Sequence, residues 1–228
     1  MTTMTETTTA RRPRVLDLCC GAGGAAMGYH LAGFDVIGVD LNPQPNYPFT
    51  FHQGDALAFV AEHGHTFDLI HGSWPCQHHT ALTKGTNKGR TYPDLIPAGR
   101  AAMAATGRPF VIENVPGSTV RRDLTLCGEM FGLGVTRHRY FEVHGFPVMQ
   151  TPHPKHRGRV RGWRHGAYHD GPYLAVYGDG GGKGTVIEWQ TAMGIDWTDS
   201  RREIAEAIPP AYTRHVAEWF LIGWEVAA

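Results

Sequence analysis

The stretch RVLDLCCGAGG (residues 14–24) decides the fold. RVLDL (14–18) reads as a buried strand. Gly21, Gly23 and Gly24 follow directly, and an amphipathic segment then runs to Leu31. Strand, glycine-rich turn and helix in that order suit a ligand. Glycines let the backbone turn tightly and approach it, and the helix N-terminus offers free N–H groups at its positive dipole end.

The same alternation continues outward. DVIGVD (35–40) reads as a second strand, ALAFVAE (56–62) as a helix and FDLIHG (67–72) as a third strand. DLIPAGRAAMAA (94–105) is Ala-rich and helical despite Pro97, and PFVIENV (109–115) is a fourth strand. Strands at this spacing with helices between them predict an α/β fold, a mostly parallel sheet with right-handed crossovers and helices on both faces. RYFEVHG (139–145) reads as a further strand. Residues 146–183 are rich in Gly, Pro, His and Arg, with PYLAVYG (172–178) as their clear strand. Helices are expected near 185–194, 199–207 and 210–222. The expected division is a frayed polar tail (1–13), a core (14–145), a short stub (146–183) and C-terminal helices completing the core (184–228).

Composition narrows the possibilities. The 228 residues are 42% apolar and 18% charged, which fits one globular domain. Lys plus Arg equals Asp plus Glu at 21 each, so any affinity for nucleic acid must come from a local patch. No apolar run is long enough for a membrane span. Cys19, Cys20, Cys76 and Cys127 form no CxxC pair and no disulfide framework, and a reducing cytoplasmic setting is expected.

Chemistry collects where strands end, the edge at which open α/β sheets bind ligands. Asp40 ends the second strand, where an acid commonly holds ribose hydroxyls, and Asp55 sits at the next edge. Cys76 follows Pro75 in GSWPCQ (72–77), just after the third strand. Glu113 ends the fourth. Arg137 and Arg139 in TRHRYFEV (136–143) alternate, so an extended backbone would project both to one face. A thiol, a carboxyl and two guanidiniums at one edge supply a nucleophile, an acid and anion holders.

The ordered set resembles the DNA cytosine-5 methyltransferases. DLCCGAGG (17–24) resembles the first family motif, with Cys19 where the family usually has Phe. VDLNP (39–43) and GDA (54–56) resemble the next two, PCQ (75–77) the nucleophile motif and ENV (113–115) the carboxylate motif. VTRHR (135–139) resembles the Gln-x-Arg-x-Arg motif with Val135 in place of Gln, and AIPPAYT (207–213) the C-terminal segment that folds back on the cofactor site. The resemblance implies a Rossmann-like methyltransferase fold with S-adenosyl-L-methionine as cofactor. It places Asp17, Cys19, Gly21, Gly23, Gly24, Asp40, Leu41, Asp55, Ala56, Pro75, Leu95, Pro210 and Ala211 around that cofactor. It makes Cys76 the nucleophile toward carbon 6 of cytosine, Glu113 the partner of ring nitrogen 3, Arg139 the holder of the base carbonyl and Arg137 a support.

Family members hold a large target-recognition domain where this chain has about 40 residues. The resemblance is therefore to a short form, with a short or relaxed target or a protein partner that supplies recognition. DNA contacts are expected from a lid carrying Gln77, Thr80, Lys84, Lys88 and Arg90, and from the acid-free run of Lys155, Arg157, Arg159, Arg161 and Arg164 beside Trp163. His153, His156, His165 and His169 match no closed metal spacing and have no cysteine near them in sequence, so no metal is expected. Two alternatives stand: the same chemistry on a free pyrimidine nucleotide, single-stranded DNA or RNA, and a decayed DNA-binding accessory protein.

Overall fold

A computed structural model describes residues 11–75, 93–164, 166–178 and 184–227. Among the described residues seven strands build one sheet: β1 (Arg14–Leu18), β2 (Asp35–Asp40), β3 (Thr50–Gln53), β4 (Leu69–Gly72), β5 (Phe110–Asn114), β6 (Leu124–Leu126) and β7 (Arg139–His144). Their spatial order is β3-β2-β1-β4-β5-β7-β6. All pair in parallel except β7, which runs antiparallel between β5 and β6. The order reverses between β1 and β4, the switch point at which such sheets open a crevice.

The helices are α1 (Gly24–Leu31), α2 (Ala56–His63), α3 (Ile96–Ala105), α4 (Val186–Met193), α5 (Arg201–Glu206) and α6 (Pro210–Ala227). Side chains alternate across each strand, and the apolar runs of β1, β4 and β5 serve both faces. Val15, Leu69 and Val111 pack with α1 and α6, whereas Leu16, Leu18, Ile70 and Ile112 pack with α2 and α3. Pro97 sits in the first turn of α3, where its missing N–H costs little. A third cluster of Val135, Val176, Trp189, Met193, Ile195 and Ile204 fixes α4 and α5 to the arginine-bearing loop. No described helix is long and apolar enough to cross a membrane.

The structure departs from expectation in three places. β3 and β6 are short, and neither shows a clear apolar alternation in sequence. PYLAVYG (172–178) is not a strand; Tyr173 makes one isolated bridge with Val160. The stub instead carries a small hairpin, β8 (Gly162–Arg164) with β9 (Ala167–His169). Tyr173 is fully buried, and its segment runs back along the core through the Leu174 N–H to the Gly134 carbonyl at 2.7 Å.

The C-terminal helix α6 packs on α1 through missing side chains. A Cβ on Gly28 would lie 2.1 Å from the Thr213 hydroxyl and 2.2 Å from the Pro210 carbonyl; one on Gly24 would lie 2.3 Å from the Ile208 carbonyl. Gly28→Ala is therefore expected to cost about 1–3 kcal/mol and lower the melting temperature by several degrees. Gly54→Ala, where a Cβ meets nothing within 4 Å, should leave it nearly unchanged in the same thermal-denaturation series.

Candidate active site

The carboxyl end of β1 leads into a strained turn. Cys19, Gly21 and Gly23 all take left-handed backbone angles (φ 55, 48 and 88°), which is costly only for Cys19. A Cβ on Gly21 would meet nothing within 4 Å, so this residue faces open space, whereas Gly23 and Gly24 are needed for packing against Tyr47 and the 207–208 segment. Asp40, at the end of β2, pins the turn: one carboxylate oxygen accepts the Gly21 N–H at 3.1 Å and the other the Asn42 N–H at 2.9 Å. Leu41 is 69% exposed on the rim. The Cys19 thiol is pushed up to about 12 by burial and by Asp40, so it is no nucleophile at neutral pH.

The C-terminal segment completes this edge. The Trp197 indole N–H donates to the Ala22 carbonyl at 2.7 Å, and the Thr213 hydroxyl donates to the Ala25 carbonyl at 2.8 Å. Pro210 is buried and Ala211 half-buried at the start of α6. Asp55 serves as N-cap of α2, accepting the Ala58 N–H at 2.8 Å, with Ala56 buried behind it. Leu95 precedes α3 and packs into the core.

Three polar side chains lie on the α1-facing side of adjacent strands: Asp17 on β1, His71 directly opposite it on β4, and Glu113 on β5. His71, Ser73 and Glu113 form a chain. The Tyr29 hydroxyl lies 3.0 Å from His71 Nδ1, His71 Nε2 lies 3.1 Å from Ser73 Oγ, and the Ser73 hydroxyl donates to Glu113 Oε2 at 3.1 Å. One assignment satisfies all three: Tyr29 donates to Nδ1, Nε2–H donates to Ser73, and Ser73 donates to the carboxylate. Burial lowers His71 to about 3, which keeps the ring neutral as that chain requires. Arg139 Nε completes the arrangement with an ion pair of 2.9 Å to Glu113 Oε1. Burial raises Glu113 above the ordinary carboxylate range, while Arg139, Ser73 and Arg137 pull it back. The result is a carboxyl that can hold or release a proton. His71 and Ser73 escaped the sequence reading; the available signal was a histidine inside an otherwise apolar strand.

The two arginines do not share one extended face. Arg137 takes a left-handed angle (φ 27°), and its guanidinium donates to the Val176 carbonyl at 2.8 Å and to the Ala205 carbonyl. Tyr212 donates to the Arg137 carbonyl at 2.9 Å. Arg137 thus ties the stub and α5 to the site, and Arg139 pairs with Glu113. Cys76, Gln77, Thr80, Lys84, Lys88 and Arg90 lie outside the described residues; Pro75 is the last described residue before them, and the Trp74 carbonyl accepts the Asn114 side-chain N–H at 2.7 Å.

The basic run is less free than its sequence suggests, because acids reach it from elsewhere. Arg157 pairs with Glu129 at 2.8 Å and Arg161 pairs with Glu188. Lys155 and Arg159 are exposed and pair with no acid among the described residues. Arg164 lies in β8, and its side chain is outside the description. Exposed Trp163 and Tyr168 stand opposite each other across the hairpin, ring centroids 5.8 Å apart. No cysteine is near the stub histidines in sequence, but the fold brings Cys127 and His138 against His153 and His156.

No protein-family model matches the chain. The type II methyltransferase M.XorII of Xanthomonas oryzae is 30% identical over 162 residues, covering 61% of this chain and 38% of the relative. M.NgoMIV of Neisseria gonorrhoeae is 32% identical over 111 residues, covering 45% and 35%. The chain thus spans little more than a third of the length of these curated relatives. Among solved structures, a mutant of Spodoptera frugiperda DNMT2 and the S. pombe Dnmt2 methyltransferase each superpose with a TM-score of 0.59 at 14% identity, covering 92% of this chain and 99% of theirs. The Entamoeba histolytica methyltransferase EhMeth gives 0.58 at 12% identity, covering 94% and 99%. The chain has the Rossmann-like fold of these methyltransferases.

Asp17 gives the site a pH signature. It is fully buried, the Tyr47 hydroxyl and the Ala26 backbone N–H lie beside its carboxyl, and among the described residues no donor reaches it with full hydrogen-bond geometry. Burial, followed by the charge of Asp40, raises the carboxyl to about 8. The unfolded value is about 3.9, so the native state binds more protons than the unfolded state between about pH 4 and 8. Stability from this group is present below that window and is lost as pH rises through it. Asp17→Asn should flatten the fall in melting temperature between these pH values, in ligand-free protein, relative to wild type; parallel slopes would refute the assignment.

Proposed function

We propose that this chain transfers a methyl group from S-adenosyl-L-methionine to carbon 5 of cytosine in DNA. The observation that carries the reading is the Glu113–Arg139 pair at the carboxyl edge of the sheet, next to the strand β4 whose end leads to Pro75, with Cys76 and Gln77 following in sequence. The cofactor fits the neighbouring edge. Gly21 faces open space, Asp40 stands at the end of β2 to accept ribose hydroxyls, and the unsatisfied Asp17 carboxyl suits a ligand that carries an ammonium group. When bound, the cofactor supplies an electrophilic methyl on a sulfonium.

Carbon 5 of cytosine is a poor nucleophile, and the protein groups remedy this. The Cys76 thiolate adds to carbon 6, which makes carbon 5 enamine-like. Glu113 donates a hydrogen bond or proton to ring nitrogen 3, where charge develops, and its raised proton affinity suits that role. Arg139 holds Glu113 in place and offers its remaining N–H groups to the base carbonyl. After methyl transfer, the carbon 5 proton leaves to a base or to water and the Cys76–carbon 6 bond breaks, which restores the thiolate. A cytosine within a duplex cannot enter so buried a site, so it must be flipped out or already single-stranded.

The stub supports loose rather than stringent target choice. Each good base contact contributes about 1–3 kcal/mol, and the stub offers Lys155, Arg159 and the Trp163–Tyr168 pair where larger relatives have whole domains. A target of one to three base pairs, or recognition lent by a partner protein, follows from this.

Two experiments test the reading. Methyl transfer is measured on duplex DNA, single-stranded DNA, RNA and dCMP, and 5-fluorocytosine DNA is used as a trap. Transfer to DNA with a covalent adduct through Cys76, both abolished in Cys76→Ala, is the expected result; activity confined to RNA or dCMP replaces the substrate, and full activity in Cys76→Ala rejects the mechanism. In DNA binding, Arg159→Ala should reduce the salt slope by about 0.9, while Arg157→Ala, which loses the Glu129 pair, should lower thermal stability as well.

A further inference from the structure

Next to the loop that carries Arg137 and Arg139, four side chains from three separate segments meet. Cys127 lies between β6 and the short 3-10 turn Gly128–Phe131, His138 lies just before β7, and His153 and His156 come from the stub. The sulfur and one imidazole nitrogen of each histidine all lie within 4.8 Å of one another. Cys127 Sγ is 3.4 Å from His156 Nε2, and His138 Nε2 is 3.1 Å from His153 Nε2. The three rings sit 5.1 to 5.3 Å apart between centroids.

Hydrogen bonding alone explains this convergence poorly. A neutral imidazole has one donor and one acceptor nitrogen, so three rings aimed at one point leave some nitrogens facing like partners. Among the described residues no carboxylate belongs to the cluster. A tetrahedral zinc ion has bonds of about 2.0–2.1 Å to nitrogen and about 2.3 Å to sulfur, which places its ligand atoms roughly 3.3–3.6 Å apart. The observed separations of 3.1 and 3.4 Å are close to that.

We propose that Cys127, His138, His153 and His156 bind a structural Zn2+. One thiolate and three imidazoles suit this borderline-soft ion, and four protein ligands leave no open position for catalysis. As the Zn–S bond forms, the Cys127 thiol gives its proton to solvent. The ion fastens the stub to the loop that carries Arg137 and Arg139, since His138 stands between the two arginines in sequence. Residues 153–156 contain few apolar groups of their own to hold them there.

The test uses the full, untagged chain purified without chelator, with zinc measured by plasma mass spectrometry. One zinc per chain is expected. His153→Ala and His156→Ala, both at exposed positions, should lose it while keeping a wild-type far-ultraviolet circular dichroism spectrum. Because Cys127 is buried, Cys127→Ser could lose metal through lost fold, so the thiolate is tested by spectroscopy. Co2+ added to stripped wild-type protein should give tetrahedral d–d bands and a sulfur-to-cobalt charge-transfer band, with the latter missing in folded Cys127→Ser. A folded wild-type chain with neither zinc nor cobalt bands overturns the proposal, as does zinc content unchanged in both histidine variants.

Discussion

A carboxyl buried as deeply as Glu113 needs a partner, and most of the catalytic edge is arranged around supplying one. Leaving such a charge unpaired costs several kcal/mol. The partner comes from β7, the one strand that enters the sheet antiparallel, and its first residue is Arg139. Reversing that strand places the start of β7 beside the end of β5, where Asn114 faces Tyr140 across the ladder. A parallel β7 would bring its opposite end to that edge and leave Glu113 without its cation. The direction of a single strand therefore decides whether the carboxyl has a counter-ion.

From the other side, Glu113 is held by neutral groups. His71 is stripped of charge by its surroundings, so it passes hydrogen-bond polarity from Tyr29 to Ser73 without adding a second cation. The net effect is one cation and one hydroxyl on one carboxyl. Burial leaves its proton affinity raised against the lowering pull of Arg139, Ser73 and the more distant Arg137.

The parallel core was legible because β1, β2, β4 and β5 are apolar on both faces and are separated by turn residues. The crevice was legible because Gly21, Asp40 and Glu113 all stand where those strands end. What could not be read had two physical sources. Strand direction depends on pairing at a distance, so the alternation of Arg137 and Arg139 suggested a shared face that the left-handed Arg137 backbone abolishes. Charge and metal-ligand sets are also assembled across the fold: Glu129 and Glu188 reach a stretch that is free of acids in sequence, and Cys127 reaches histidines more than 25 positions away. The stub was expected to be a strand among loops. It is instead a hairpin and a return segment held by Tyr173, whose hydroxyl meets Glu129 and the Arg157 N–H.

The bonds from Trp197 to Ala22 and from Thr213 to Ala25 span 175 and 188 positions. Contacts of such separation form late and slowly, because the chain between them must be ordered first. During synthesis the glycine turn leaves the ribosome long before the residues that clamp it. Until then the strained Cys19 turn has no support from that side, and α1 exposes the glycine face meant for α6. A nascent chain is thus a core without a finished crevice, unable to engage a ligand there until the last helix arrives. Binding competence therefore waits until the chain has been made at least through Thr213.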